Sequence, residues 1–191
     1  MRIVAGRFKG RALAALGKGD PAAHLRPTSD RTRESLFNIL SGGRFGDPVS
    51  DARVLDLFAG TGALGLEALS RGAAHATFVD DGTKALGLIR QNIALCYASD
   101  GDGAATRIIK RDARKLPPND GAAFDLVFLD PPYGKALGEA ALTHALTRGW
   151  IAPEALIIWE ESAAISPPAG IRLLDSRRYG DTMISFLRAD S

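Results

Sequence analysis

The chain has one cysteine among 191 residues, Cys96, which excludes a disulfide within it and suits a reducing compartment. Its three histidines, His24, His75 and His144, stand far apart without metal-ligand spacing, so no metal is expected. Nowhere do about 18 apolar residues run uninterrupted, which argues against a membrane span. The N-terminus carries Arg2 but no apolar core of the kind a secretory signal needs. These absences predict a cytoplasmic protein with no membrane partner. Internal repeats and low-complexity segments are missing too. What is present is enough apolar sequence for one substantial core.

Net charge is +2, unevenly placed. Residues 1–50 hold nine Lys or Arg against four Asp or Glu, a surplus of +5, while the remainder holds 15 against 18. A basic arm on a near-neutral body predicts a polyanionic partner, although a solvated surface gives the same count.

The stretch Phe124–Gly134, FDLVFLDPPYG, organises the rest. Leu126–Leu129 has the length and composition of a strand covered on both faces. Asp130-Pro131-Pro132-Tyr133 must stop it, because consecutive prolines donate nothing to a ladder. A carboxylate, a carbonyl and an aromatic ring are thereby set at a strand's C-terminal end, where open α/β sheets bind ligands.

Upstream, Arg2–Ala15 alternates short apolar residues with Gly and basic side chains and reads as a β-hairpin or extended arm. Lys18–Pro27 has turn chemistry. Leu36, Phe37, Ile39 and Leu40 recur at helical spacing; Thr28, Ser29 or Asp30 can cap that helix, and Gly42-Gly43 ends it. This reading gives Arg31 and Arg33 no structural role. Strands are expected at 54–59, 76–80, 106–110, 124–130 and 155–160, with helices after Gly65, over 83–97 and over 136–147. Two last strands flank Gly180-Asp181, a two-residue hairpin signal. Strands alternating with helices predict a doubly wound α/β sheet, seven-stranded and mostly parallel, closed by a C-terminal antiparallel hairpin. The chain divides into a basic N-terminal extension with the first helix, residues 1–44, and a main domain, 45–191.

Gly60-Thr61-Gly62-Ala63-Leu64-Gly65 follows the first main strand and fits a dinucleotide fingerprint, with Asp80 about 20 residues on. Asp56 inside that strand disfavours a nicotinamide cofactor, because a carboxylate there wants a cation. The ammonium of S-adenosylmethionine meets that need. No His, Lys or Tyr is placed for hydride transfer.

VLDLFAGTGALGLEALSRGA with DPPY resembles a Rossmann-like class I amino-methyltransferase. RFKGRAL, LRPTSDRTRESLFNIL, DLFAGTGALGLEALSRGA and DPPY in that order resemble the RsmD family, over nearly the whole chain. Those enzymes are bacterial methyltransferases of the guanine N2 amine in 16S ribosomal RNA, at position 966 in the family's naming. The resemblance implies S-adenosylmethionine as cofactor, with Asp56, Phe58, Gly60 and Gly62 around its methionine part. It implies Asp80 (or Asp81) on the ribose and Asp112 and Ala113 by the adenine. It makes the polyanion ribosomal RNA, expected within a small-subunit assembly particle, with naked RNA and the finished ribosome open as other forms of the substrate; the chain itself is expected to be a monomer. The RNA contacts expected are Arg7, Lys9, Arg11, Arg26, Thr28, Arg31 and Arg33, on an unpaired or flipped-out target.

Chemically, the Asp130 carboxylate and Pro131 carbonyl can each accept one N–H of an exocyclic amine, and Tyr133 can stack on its base. The tetrapeptide does not name the base. Adenine in DNA or a protein glutamine remain as substrates, as do a non-catalytic RNA-binding module and a nicotinamide oxidoreductase as other readings.

Overall fold

The structure is a computed structural model and describes residues 1–15, 29–97 and 105–191. The elements in order are α1 (Asp30–Ser41), β1 (Arg53–Leu57), α2 (Ala63–Ser70), β2 (His75–Asp80), α3 (Thr83–Tyr97) and β3 (Thr106–Lys110). A 3₁₀ turn (Ala113–Lys115), β4 (Phe124–Leu129), α4 (Leu137–Thr147), β5 (Ile151–Glu161), β6 (Ile171–Tyr179) and β7 (Thr182–Ala189) complete it. The seven strands form one sheet in the order β3-β2-β1-β4-β5-β7-β6. β1 to β5 are parallel, and β7 runs antiparallel between β5 and β6. The order reverses beside β1, and in such sheets the carboxyl ends of the strands at the reversal form the ligand crevice.

The sheet separates two cores. One face packs α1, α2, α3 and the N-terminal segment over Val54, Phe78, Phe128 and Ile158. The other packs Leu55, Val127, Leu129 and Trp159 against α4 and the 3₁₀ turn. Alternation along each strand assigns these sides, and Val54–Leu57 of β1 and Leu126–Leu129 of β4 are buried throughout, as their apolar runs require. The helix of residues 30–41 starts where Ser29 Oγ accepts the Thr32 N–H at 3.0 Å, one of the three caps open to the sequence. β5 begins four residues earlier than the apolar run suggests. Ile151 already pairs with Phe124, and a register shift with Glu154 at φ +59° carries the chain past Pro153.

The N-terminal segment folds back on itself through an Arg2–Ala12 bridge and is held by buried side chains of the main body. Glu67 of α2 accepts the N–H groups of Val4 (2.8 Å) and Ala5 (3.0 Å), and Ser70 Oγ accepts that of Phe8. Asn92 of α3 donates to Ala14 O and accepts the Ala14 N–H at 2.7 Å. Ile3, Phe8 and Leu13 are buried in the same core as α1 and the sheet. Residues 1–14 thus pack as part of the main body rather than standing off it as an arm.

Candidate active site at the carboxyl edge of the sheet

β1 and β4 are neighbours, with Leu57 level with Leu129. The glycine loop after β1 and Asp130–Tyr133 after β4 therefore open on the same edge. The Asp130 N–H reaches Leu57 O at 3.4 Å, a direct link between the two motifs.

Between β1 and α2 the backbone turns through Phe58 (φ +58°), Gly60 (+57°) and Gly62 (+76°). Glycine occupies such torsions freely; phenylalanine does not, and strain of this kind collects at functional sites. The loop is fixed from below. The Ala59 N–H reaches Val79 O, the Gly60 N–H reaches Asp80 Oδ2 at 2.9 Å, and Thr61 O accepts from Asn92 at 2.9 Å. Gly65 lets α2 lie flat on the sheet, since a Cβ there would stand 2.5 Å from the Phe78 ring.

Asp56 lies beneath the loop. It is only 2% exposed, and its Oδ2 accepts the Gly65 N–H at 3.0 Å. Burial, against that hydrogen bond and with the Asp80 charge adding to it, pushes its carboxyl up to about 8. Asp56 thus fastens the loop-to-helix turn from beneath. Asp80 ends β2 half-buried, with Oδ1 on the Gly82 N–H and Oδ2 on that of Gly60. Burial raises its carboxyl, and those two N–H groups oppose the shift. Asp81 is exposed. Asp112 caps the 3₁₀ turn and is gripped by Arg114 at 2.7 and 3.0 Å, which holds its carboxyl below the usual range; Ala113 is buried behind it.

At the other side of the edge Pro131 is buried and Tyr133 half-buried. The Tyr133 hydroxyl donates to Glu160 Oε1 at 2.7 Å and lies 3.1 Å from Thr182 Oγ1, so β5 and β7 both pin it. Burial raises its phenol far above the usual range, and Glu160 adds to the shift, so the ring is neutral. Glu160 is 8% exposed. Sequence reasoning passed over it, although a carboxylate ending the apolar run Leu156–Trp159 carries the same signal as Asp130 after β4. Asn92 was missed as well. Its signal is a polar residue on the apolar stripe of α3, three residues from Ile89.

The basic residues divide. Arg7, Lys9 and Arg31 are exposed, and Arg11 is partly covered. Arg7 lies over the Phe8 ring at 5.3 Å, and its N–H reaches Ser70 O, which seats the turn of the segment at the far end of α2 from the glycine loop. Met1 and Ala14, by contrast, sit against Thr61 and Asn92 near the loop. Arg33 corrects the sequence reading: it is fully buried. It donates to Arg2 O and to Asp30 Oδ1 (2.9 Å) and faces Glu67 at 3.6 Å, so it is a structural cation and unavailable to a phosphate. Arg26 and Thr28 lie outside the described residues. No group of three or more potential metal ligands occurs among the described residues, and no helix there is long and apolar enough to cross a membrane.

Known proteins match this arrangement. The family model described as conserved hypothetical protein 95 matches residues 1–188. Ribosomal RNA small subunit methyltransferase D of Escherichia coli strain K12 is 38% identical over 160 residues, covering 84% of this chain and 74% of its own. The protein of that name from Haemophilus influenzae is 36% identical over 182 residues, covering 94% and 89%. A solved Escherichia coli structure described as a methyltransferase superposes with a TM-score of 0.81 at 34% identity, covering 100% of this chain and 98% of that one.

Proposed function

We propose that this chain, which belongs to the RsmD family of conserved hypothetical protein 95, methylates the N2 amine of a guanine in small-subunit ribosomal RNA. The methyl donor in this reading is S-adenosylmethionine, and the target is the family's 966-type site. The chain meets it as a monomer on an assembly particle. The observation that carries the reading is the shared edge: a glycine turn after β1 and an Asp-Pro-Pro-Tyr after β4, one hydrogen bond apart.

The residues present fit the cofactor. Gly60 and Gly62 put bare backbone at the crest of the loop, where a ligand can approach closely. Phe58 precedes them. Asp80, its carboxylate oriented by two N–H groups, suits a ribose diol, whose hydroxyls need an acceptor. Asp112 and Ala113, after β3, would border the adenine. When bound, the cofactor supplies an electrophilic methyl on a sulfonium sulfur.

The protein's own part is to prepare the amine. An exocyclic amine on guanine is a poor nucleophile because its lone pair is delocalised into the ring. The Asp130 carboxylate and Pro131 carbonyl each accept one of its N–H groups, which turns the lone pair toward the glycine loop and stabilises charge building on nitrogen. Asp130 then receives the proton that nitrogen must lose when its new bond to carbon has formed. Tyr133 stacks on the base, its hydroxyl tied to Glu160 and Thr182 so that the ring cannot swing. Direct transfer needs no covalent bond to the protein. The ribosomal RNA named for the relatives supports this substrate, and the exposed Arg7, Lys9 and Arg31 with Arg11 are the phosphate contacts proposed.

Mapping modified nucleotides in ribosomal RNA from cells with and without the gene tests the reading: one N2-methylguanine in 16S RNA is expected to disappear. Asp130→Ala is expected to lower methyl transfer about a hundredfold or more while cofactor affinity, read by calorimetry, stays within a few-fold. Near-wild-type turnover in that variant overturns the assignment.

A further inference from the structure

Asp130 does not stand alone at the edge. β4 and β5 run parallel with Phe128 level with Ile158 and Leu129 level with Trp159, the last pair before Asp130 and Glu160. Side chains alternate, and Phe128 and Ile158 share a core with α2 while Leu129 and Trp159 share the opposite one. Glu160, paired with Ile184 of that first core, is the penultimate residue of β5 and lies on that first side, and Asp130 follows β4 at the same edge of the sheet. The Tyr133 hydroxyl, bonded to Glu160 Oε1, feels both charges. The edge thus brings both carboxylates to the Tyr133 side chain, one of them bonded to its hydroxyl.

Carboxylates only accept hydrogen bonds. Among purines, guanine alone offers a matching pair of donors on its Watson–Crick edge, N1–H next to the N2 amine. Adenine presents an unprotonated N1 there, which a carboxylate repels. Resting on the guanine reading above, we infer that Glu160 is the specificity-determining residue of this site: Asp130 takes the N2 amine and Glu160 accepts N1–H. A site built to bond one donor rejects an analogue lacking it far more strongly than shape alone can.

The test compares target-site RNA carrying guanine with the same RNA carrying 2-aminopurine, which keeps the N2 amine but has an unprotonated N1. The wild-type kcat/KM for guanine is expected to exceed that for 2-aminopurine about a hundredfold or more. Glu160→Gln, whose amide can donate to an unprotonated N1, is expected to lower transfer to guanine and narrow the ratio at least about tenfold. Tyr133→Phe, which removes the hydroxyl but not the carboxylate, is expected to leave the ratio unchanged. A wild-type ratio near one overturns the inference without any variant. So does an equal loss on both substrates in Glu160→Gln, the signature of a carboxylate that only positions Tyr133. Transfer to guanine N2 with either of those results leaves the proposed function standing; no transfer to guanine by the wild-type protein overturns both.

Discussion

Asp56 and Arg33 show what burial does to a charged side chain. For Asp56, below the ordinary carboxyl value of 3.8 the group is neutral in both folded and unfolded chains. As pH rises toward about 8 only the unfolded chain ionises it, so its contribution to stability is full at low pH and is lost through that window. Asp56→Asn cannot ionise, and its amide oxygen still accepts the Gly65 N–H. Its melting temperature is expected to exceed the wild-type value by a margin that widens from mildly acidic pH to about pH 8, read by calorimetry across a pH series. Arg33 is the converse case, a cation buried against Glu67 and Asp30. Arg33→Met leaves Glu67 without one partner and is expected to cost about 3–5 kcal/mol by denaturant titration. Arg31→Ala, two residues away and exposed, is expected to leave stability unchanged and weaken RNA binding. The two arginines are indistinguishable as a sequence motif, because the partner that separates them, Glu67, lies 34 residues further along the chain.

Strand, glycine loop and helix form the element that positions the cofactor half of the site, and its tolerances are set by contact distances. A methyl at Gly65 would meet Phe78 Cε1 at 2.5 Å and Asp56 Oδ2 at 3.2 Å. Phe78 is fully buried between sheet and helix and has nowhere to retreat. Alanine would gain about 1 kcal/mol of helix propensity, but overpacking costs about 1–3 kcal/mol, so the clash decides. Gly65→Ala is expected to lower the melting temperature and weaken S-adenosylmethionine binding measured by calorimetry. At this scale the sequence was most legible. β3 and α3 fall where their apolar periods place them, and the fingerprint glycines sit at a strand-to-helix turn. The start of β5 was not legible, because its first residues are held by pairing with β4 across a bulge rather than by an apolar run of their own.

Across the whole molecule, the basic N-terminal segment is bound into the body it was read as extending. Removing residues 1–14 would strip Ile3, Phe8 and Leu13 from the core and take from Glu67, Ser70 and Asn92 the backbone groups of Val4, Ala5, Phe8 and Ala14. At about 1.5–3 kcal/mol for each apolar side chain, the loss rivals the 5–15 kcal/mol that holds a typical domain together. The truncated chain is expected not to fold cooperatively, and the intact chain to melt in one calorimetric transition; two transitions would mark residues 1–44 as a separate unit. The sequence by itself determined the sheet, its likeness to a methyltransferase and the two motifs that face each other, because periodicity, glycine turns and proline stops act over a few neighbouring residues. Only the tertiary structure decided which charges face solvent and which are locked inside, and that Tyr133 after β4 is tied to Glu160 of β5. Those outcomes depend on strand order and register, which join residues distant along the chain and leave no local trace.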